Sequence, residues 1–307
     1  FKSKLEMFNL NKKYIDQIKK NFSKNINVEF INLNKIKKKY DAEIYWGTRI
    51  NNEIINKIKN LKWIHFGSVG IDKINIDLVK KRKIIITNSK GINTDVMVNL
   101  IIFYLIDTSK KLIFSNKKNN RSKYEHLFSN CKDLSKQKVC ILGHGDISKK
   151  IENYLKFLNV GYKYFSSRKS SLNKIINKKE FVRSINNFDT IINLMRSNKT
   201  NLNFINMKLL NKMKKNINLI LVGRLSTVDL EDLYKFLSKN KKSNCYIDAI
   251  PNDENFSIFK KINSLKNVFI SPHIGGYFKE YWNLQVNLFK KNLQLYLGKK
   301  KLINLKR

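Results

Sequence analysis

The stretch Lys138–Ser148, KVCILGHGDIS, runs from a short apolar segment straight into two glycines one residue apart. Val139–Leu142 are apolar without alternation, which suits a strand buried on both faces of a parallel sheet. Helical spacing follows as far as Leu158. A strand that turns through Gly143, His144, Gly145, Asp146, Ile147 and Ser148 into a helix is where a dinucleotide pyrophosphate docks. The first glycine permits the tight turn and the second lets the backbone approach the phosphates. The helix N-terminus adds N–H donors and a positive dipole end. Ser148 takes the place of the third glycine.

Outward from this stretch the same rhythm continues. Downstream, Tyr162–Phe165, Thr190–Leu194, Leu219–Val222, Cys245–Asp248 and Val268–Ile270 read as buried strands with helical patterns between most of them. Upstream, Ile26–Leu33, Ala42–Gly47, Trp63–Phe66 and Ile84–Thr87 are strand candidates, Asn51–Leu61 is helical, and a long apolar helix covers Thr94–Leu112. A polar stretch, Asn116–Asp133, follows that helix. Strand and helix in alternation predict an α/β protein with two doubly wound parallel-sheet domains. The 307 residues suit that number, at about 150 per domain.

Composition excludes several classes. Hydrophobic residues at 42% are enough for ordinary cores, so wholesale disorder is excluded. The longest apolar run, Val98–Ile106, falls far short of the ~20 residues of a membrane span. No charged-then-apolar leader with a cleavage site argues for secretion. Cys131, Cys140 and Cys245 are odd in number and form no CxxC, which excludes a disulfide framework and a thiolate zinc site. No metal is expected, and a reducing cytoplasm is the expected location.

Lys and Arg number 62 against 23 Asp and Glu, a net charge of +39. Such a balance raises nucleic-acid binding as a function class. Yet the lysines are spread over the whole chain, in company with abundant Asn and Ile and only 2 Pro and 11 Gly. Codons rich in A and T give this profile to any protein. No basic arm, Cys/His finger or aromatic-basic strand accompanies it, so no specific nucleic-acid partner is expected. The positive field still draws in anionic substrates and cofactors, more at low salt.

The second strand of the dinucleotide unit ends in FSSRKS, with Ser167 and Arg168 where a carboxylate for the NAD ribose normally stands. Nothing there repels a 2′-phosphate, and the Arg168 fork suits one. This favours NADP, with NAD as the alternative.

Six segments in order then resemble one family. They are LKWIHFGSVGIDKI (Leu61–Ile74), ITNSKGINTDVMVN (Ile86–Asn99), KVCILGHGDISKKI (Lys138–Ile151), MKKNINLILVGRLSTVDLEDL (Met213–Leu233), YIDAIPNDE (Tyr246–Glu254) and NVFISPHIGG (Asn267–Gly276). The sequence resembles the D-isomer-specific 2-hydroxyacid dehydrogenases, which include glyoxylate/hydroxypyruvate reductases and phosphoglycerate dehydrogenases. The resemblance implies a Rossmann nucleotide-binding domain over 93–276. It implies a discontinuous, flavodoxin-like substrate domain from 1–92 and 277–307. The implied function is hydride transfer between NAD(P)H and a small 2-keto/2-hydroxy acid.

The resemblance also implies a site. Its catalytic arginine is Arg224 in LVGRLS and its histidine His273 in PHIGG. The acid, five residues past the cofactor-contacting Asp248, is Asp253, with Glu254 adjacent as the other candidate. Reduction leaves negative charge on the keto oxygen, so a proton donor must lie within reach, and His273 supplies it. A neighbouring carboxylate orients the imidazole and raises its pKa. Arg224 holds the substrate carboxylate and polarises the keto oxygen. Backbone N–H groups of Ser68, Val69 and Gly70 also take that carboxylate, and Arg49 in WGTR adds charge. Val222, Gly223 and Gly275 join the glycine loop in cofactor binding. Asn99, Arg196 and Leu225 depart from the family's usual Glu, Pro and Gly.

A homodimer, with the helix near Thr94–Leu112 in its interface, is implied as well. Two other functions share the fold: 3-phosphoglycerate dehydrogenase of serine synthesis, and a non-catalytic dinucleotide-sensing corepressor.

Overall fold

The computed structural model describes residues 12–22, 26–28, 39–48, 50–71, 74–115, 125, 131–167, 172–251 and 253–306. In chain order its elements begin with α1 (Lys12–Phe22), β1 (Ile44–Gly47), α2 (Asn52–Lys57), β2 (Trp63–Phe66), α3 (Ile76–Lys81) and β3 (Ile85–Asn88). The long helix α4 (Thr94–Lys110) follows, then β4 (Lys138–Leu142), α5 (Asp146–Phe157), β5 (Gly161–Phe165), β6 (Ile175–Ile176), α6 (Lys178–Ser184) and β7 (Thr190–Asn193). Next come β8 (Asn218–Leu221), α7 (Leu230–Lys239), β9 (Asn244–Ile247), α8 (Phe256–Asn263) and β10 (Val268–Ile270). The chain closes with α9 (Tyr281–Leu297) and β11 (Leu305–Lys306). Two compact units result, Phe1–Asn93 with Phe278–Arg307, and Thr94–Tyr277. No described helix is long and apolar enough to cross a membrane.

The first unit is built on a sheet of order β1-β2-β3-β11. β1, β2 and β3 are parallel, and β11 is antiparallel to β3 with Leu305 opposite Thr87. Alternation divides its side chains between two cores. Ile64, Phe66 and Ile86 pack with Ile54, Ile55 and Ile58 of α2 and Val79 of α3, while Trp63 packs with Phe289 and Leu293 of α9. Asparagines start both short helices: Asn51 Oδ1 accepts from Ile54 N at 2.8 Å and Asn75 Oδ1 from Leu78 N at 3.0 Å. The Arg82 guanidinium donates to the carbonyls of Ile55, Ile58 (2.7 Å) and Lys59 (2.9 Å), satisfying the open end of α2.

The second unit carries a seven-stranded, wholly parallel sheet of order β10-β9-β8-β7-β4-β5-β6. The order reverses between β4 and β7, so the carboxyl ends of these two strands form the switch point at which such sheets bind ligands. Both faces are covered. Val139, Ile141, Ile192, Ile220 and Tyr246 face the layer of α4 and α5. Cys140, Leu142, Ile191, Leu219, Leu221, Cys245 and Ile247 face the layer of α6, α7 and α8. Cys140 and Cys245 are therefore packing residues, and burial pushes both thiols well above their ordinary pKa.

The sequence expectations and the described elements differ in three places. The candidate strand Ile26–Leu33 and the polar stretch Asn116–Asp133 fall largely outside the described residues. Strands β6 and β11 were not expected, because two residues each carry no periodicity to read. The first unit's sheet is accordingly not all parallel. Its edge comes from the chain's other end and pairs in the opposite sense.

His65, on β2, is fully buried. Its Nδ1 lies 2.7 Å from Thr87 Oγ1, which also accepts from Trp63 Nε1 at 2.8 Å, and Nε2 has no partner among the described residues. Burial pushes its pKa down to about 3. The unfolded chain takes up that proton near the ordinary value of about 6.5, so stability is full above that pH. It falls by up to about 1.4 kcal/mol per pH unit as pH drops toward the folded value. Urea midpoints should therefore decline between pH 7 and pH 5, and more gently in His65→Gln. Parallel declines in both proteins would place the acid-sensitive group elsewhere.

Candidate functional site

The glycine turn sits at the switch point. Gly143 has φ +109°, a left-handed backbone that glycine adopts without penalty. Its N–H donates to Phe165 O at 2.9 Å, and a Cβ there would stand 3.4 Å from the Leu194 carbonyl. The position of a Cβ on Gly145 has no atom within 4 Å, so this side of the turn is open. Ser148 is the surprise: its hydroxyl accepts from Gly145 N at 2.8 Å and donates to Gly145 O at 3.1 Å. The residue in the third glycine position thus closes the first turn of α5 from within. The chain enters the helix at Asp146 and Ile147, so the helix N-terminus lies directly after the glycine turn. The His144 ring packs against Tyr164, centroids 4.9 Å apart.

The end of β7 places Arg224. Gly223 N donates to Asn193 O at 2.8 Å and Arg224 N to Met195 O at 3.1 Å. Any side chain at position 223 would put its Cβ 2.9 Å from both the Asn193 and Met195 carbonyls. Asn193 Nδ2 donates to Thr227 Oγ1 at 2.9 Å, and that hydroxyl donates to Arg224 O at 2.7 Å. The Arg224 backbone is therefore fixed on both sides while its side chain is exposed. Leu225, where the family has glycine, is buried in the core behind it.

The loop after β10 places His273. Asp248 is buried at the end of β9. Its carboxylate accepts from the Ser271 hydroxyl, from Ile274 N at 2.9 Å and from Gly275 N at 2.8 Å. His273 sits inside this clamp with φ +57°, a left-handed conformation that costs a non-glycine residue about 1–3 kcal/mol. Its own N–H donates to Ser271 O at 2.8 Å. The ring is half-buried, and Nδ1 is buried with no partner among the described residues. Burial lowers the His273 pKa below its usual value; the Asp248 charge pulls it back up and the Arg224 guanidinium pushes it further down. Arg224 and His273 are thus close enough to sense one another electrostatically.

In the first unit, the loop after β2 turns its carbonyls inward. Gly67 O accepts from Tyr281 Oη at 2.9 Å and Gln285 Nε2 at 3.0 Å, Ser68 O from Ser89 N at 3.1 Å, Val69 O from Asn88 Nδ2 at 2.5 Å, and Gly70 O from Ser68 Oγ at 2.9 Å. No described hydrogen bond uses the N–H groups of Ser68, Val69 or Gly70.

Arg49 and Arg168 lie outside the described residues, as does the side chain of Asp253, whose backbone forms a single 3-10 turn with Glu254 and Asn255. Glu254 is exposed and Ser167 is exposed beyond β5. Asn193, Thr227 and Ser271 support the Arg224 and His273 loops of the second unit, Asn88 and Gln285 hold the loop after β2 in the first, and sequence reasoning missed all five. They act through hydrogen bonds, most of them to groups distant in sequence, and no local pattern marks such a bond. Among the described residues no group of His, Cys, Asp and Glu is arranged to hold a metal.

Comparison with known proteins agrees with this architecture. Residues 102–275, more than half of the chain, match the family model described as D-isomer specific 2-hydroxyacid dehydrogenase, NAD binding domain. The chain belongs to that family. It is 25% identical over 239 residues to a glyoxylate reductase of Pyrococcus horikoshii, covering 74% of this chain and 71% of the relative. It is 22% identical over 265 residues to D-3-phosphoglycerate dehydrogenase 1 of Saccharomyces cerevisiae, 80% of this chain but 55% of that protein's length. The crystal structure of D-lactate dehydrogenase from Aquifex aeolicus, complexed with NAD and lactic acid, superposes with a TM-score of 0.78 at 19% identity over 94% of each chain.

The clamp makes a steric prediction. In Gly275→Ala the new Cβ would meet Asp248 Oδ2 at 2.6 Å and Leu100 Cδ2 at 2.7 Å. Overpacking of this kind costs about 1–3 kcal/mol. Denaturant unfolding should show that loss as a lower midpoint at unchanged m, and an unchanged midpoint would mean that the loop is not held as described.

Proposed function

We propose that the protein is an oxidoreductase moving a hydride between NAD(P)H and a small 2-keto/2-hydroxy acid of the glyoxylate/hydroxypyruvate type. The observation that carries this reading is the placement of Arg224 after β8 and His273 after β10, both at the carboxyl edge of a dinucleotide-type sheet, with the histidine loop held by the Asp248 clamp. The residues at the switch point fit a nicotinamide dinucleotide. Gly143 makes the turn, Gly145 leaves its side open, and the N-terminus of α5 would supply N–H donors and a positive dipole end to a pyrophosphate. Val222, Gly223 and the Asp248–Gly275 clamp border the same edge of the sheet.

A bound nicotinamide dinucleotide supplies or accepts the hydride. Arg224 grips the substrate carboxylate and polarises its keto oxygen, and the N–H groups of Ser68, Val69 and Gly70, with Arg49, take part in carboxylate binding. His273 delivers the proton to the developing alkoxide, and in the reverse direction removes it. Asp253 is the carboxylate for Nδ1, with Glu254 the alternative. The unpartnered Nδ1 is what such a group would satisfy. The three thiols are free, in keeping with a cytoplasmic location. A homodimer through α4 belongs to the same reading. It is supported by the exposed Phe103 and Ile106 of that helix and Phe157 of neighbouring α5.

A panel of glyoxylate, hydroxypyruvate, phosphohydroxypyruvate and pyruvate with NADH and NADPH tests the function, read by cofactor absorbance. Turnover of none, with dinucleotide bound, would move the reading to a sensing role. A preference for phosphohydroxypyruvate would move it to serine synthesis.

Two sharper outcomes follow. His273→Gln should lower kcat by ~10²-fold or more with dinucleotide affinity little changed. Since the protonated imidazole is the donor, kcat/KM for reduction should fall as pH rises through the His273 pKa, which burial lowers and a carboxylate at Nδ1 raises. A profile flat from pH 5 to 8 would remove His273 from the role.

Cofactor choice depends on Arg168. One charge-assisted bond to a 2′-phosphate contributes ~1.5–3 kcal/mol, about ten- to a hundredfold. Arg168→Ala should raise KM for NADPH by that order and leave NADH nearly unchanged. Equal effects on both, or a wild-type preference for NADH, would assign FSSRKS to a plain basic loop.

A further inference from the structure

The amino edge of the seven-stranded sheet, the edge away from the glycine turn, holds a second built pocket. It has a volume of about 180 Å³ and is lined by Thr108, Lys111, Lys132, Gln137, Asn218 and Lys242, with Asp189 and Asn216 completing the wall. Lys111 and Lys132 are both pinned to the end of α4, Lys111 N donating to Asp107 O at 2.5 Å and Lys132 N to Ser109 O at 2.9 Å. Burial and then the Lys132 charge pull the Lys111 pKa down, and the nearby Asp107 carboxylate pushes it partly back up. Lys242 faces the same space from the turn before β9.

The carboxylate in the wall is already committed. Asp189 Oδ1 pairs with Lys214 Nζ at 2.8 Å and Oδ2 accepts from Lys138 N at 3.0 Å. At the pocket floor Gln137 is 2% exposed; its Oε1 accepts from the Thr190 hydroxyl at 3.1 Å and lies 3.1 Å from Thr108 Oγ1, whose proton goes to Leu105 O at 2.6 Å. Its Nε2 is buried with no partner among the described residues. A buried donor left open costs free energy unless a ligand meets it. Like charges converging on such a donor fit an anion.

We propose that this pocket is an anion site separate from the dinucleotide site, taking one compact phosphate group, as the free ion or as a phosphomonoester. Its volume excludes a dinucleotide, which needs a cleft of several hundred Å³. Lys111, Lys132 and Lys242 neutralise the charge, and Gln137 Nε2 donates to an oxygen at the floor. Occupancy ties the end of α4 to the starts of β4, β7 and β8, and so raises the stability of the unit by mass action.

The general positive field of the chain is the competing explanation, and the test separates the two. Phosphate is titrated by calorimetry and by thermal unfolding at fixed ionic strength, with the dinucleotide site saturated. The same titration with β-glycerophosphate tells a phosphomonoester site from one for free phosphate. Wild type should show one saturable site per chain. The double variant Lys111→Gln/Lys132→Gln should weaken binding at least tenfold, and Gln137→Glu, which puts a carboxylate at the floor, should abolish it. The exposed pair Lys235→Gln/Lys239→Gln on α7 has the same charge change and should stay within twofold of wild type. Equal weakening in both pairs, absence of saturation in wild type, or displacement of phosphate by added dinucleotide would overturn the proposal.

Discussion

The carboxylate of Asp248 is the constraint on which the candidate site depends. It is buried at the end of β9 and reaches across to the loop after β10, where two backbone amides and a hydroxyl converge on it. Charge-assisted bonds of this type are the strong ones, and burial strengthens them further. They hold His273 in a left-handed backbone that an isolated loop would leave. The sequence motif around the histidine is thus explained by a residue on a different strand. Gly275 is glycine because the carboxylate occupies the space of its Cβ.

The skewed composition is absorbed rather than suffered. Asparagine, abundant in the chain, becomes the helix-starting residue at Asn51, Asn75, Asn177 and Asn206, where its short side chain accepts the amides a helix leaves open. Asn193, Asn218, Asn244 and Asn267 are buried at strand ends and bond to neighbouring strands or loops. The 23 carboxylates cannot pair one to one with more than a minority of the 62 basic residues. Most remain a diffuse positive field, which favours anionic ligands without selecting among them. Selection needs geometry, at the glycine turn, at Arg224 and in the pocket at the opposite edge of the sheet.

The two edges of the sheet divide the chemistry. At the carboxyl edge, loops leave the strands with amides and cations turned outward, and the switch between β4 and β7 opens a crevice. At the amino edge, Gln137, Asp189 and Asn218 form a polar floor joined by the hydroxyls of Thr108 and Thr190. The first unit uses the same economy in reverse. The loop at Ser68–Gly70 spends its carbonyls on Tyr281, Gln285, Ser89 and Asn88, which keeps its amides in reserve.

Local chemistry determined much of this from the sequence alone. Trp63–Phe66, Lys138–Leu142 and Val268–Ile270 are strands at the residues the sequence marks, and the other expected strands of the seven-stranded sheet differ by one residue at one end or at both. The glycine turn was legible because a tight strand-to-helix junction has one chemical solution, and Arg224 and His273 because their motifs resemble a family to which the chain belongs. Tertiary structure alone decided the rest. Ser148 looked like a weakened glycine and is a cap, because its hydroxyl meets an amide only once the helix has formed. The antiparallel edge strand β11 exists because β3 offers an open ladder to the far end of the chain. Asp248 holds the His273 loop through bonds to residues 23 to 27 positions on, and Asn193 supports Arg224 through Thr227, 34 positions away. Pattern along a chain records which residues share a face. Which side chain meets a distant amide is set only when strands take their order in the sheet.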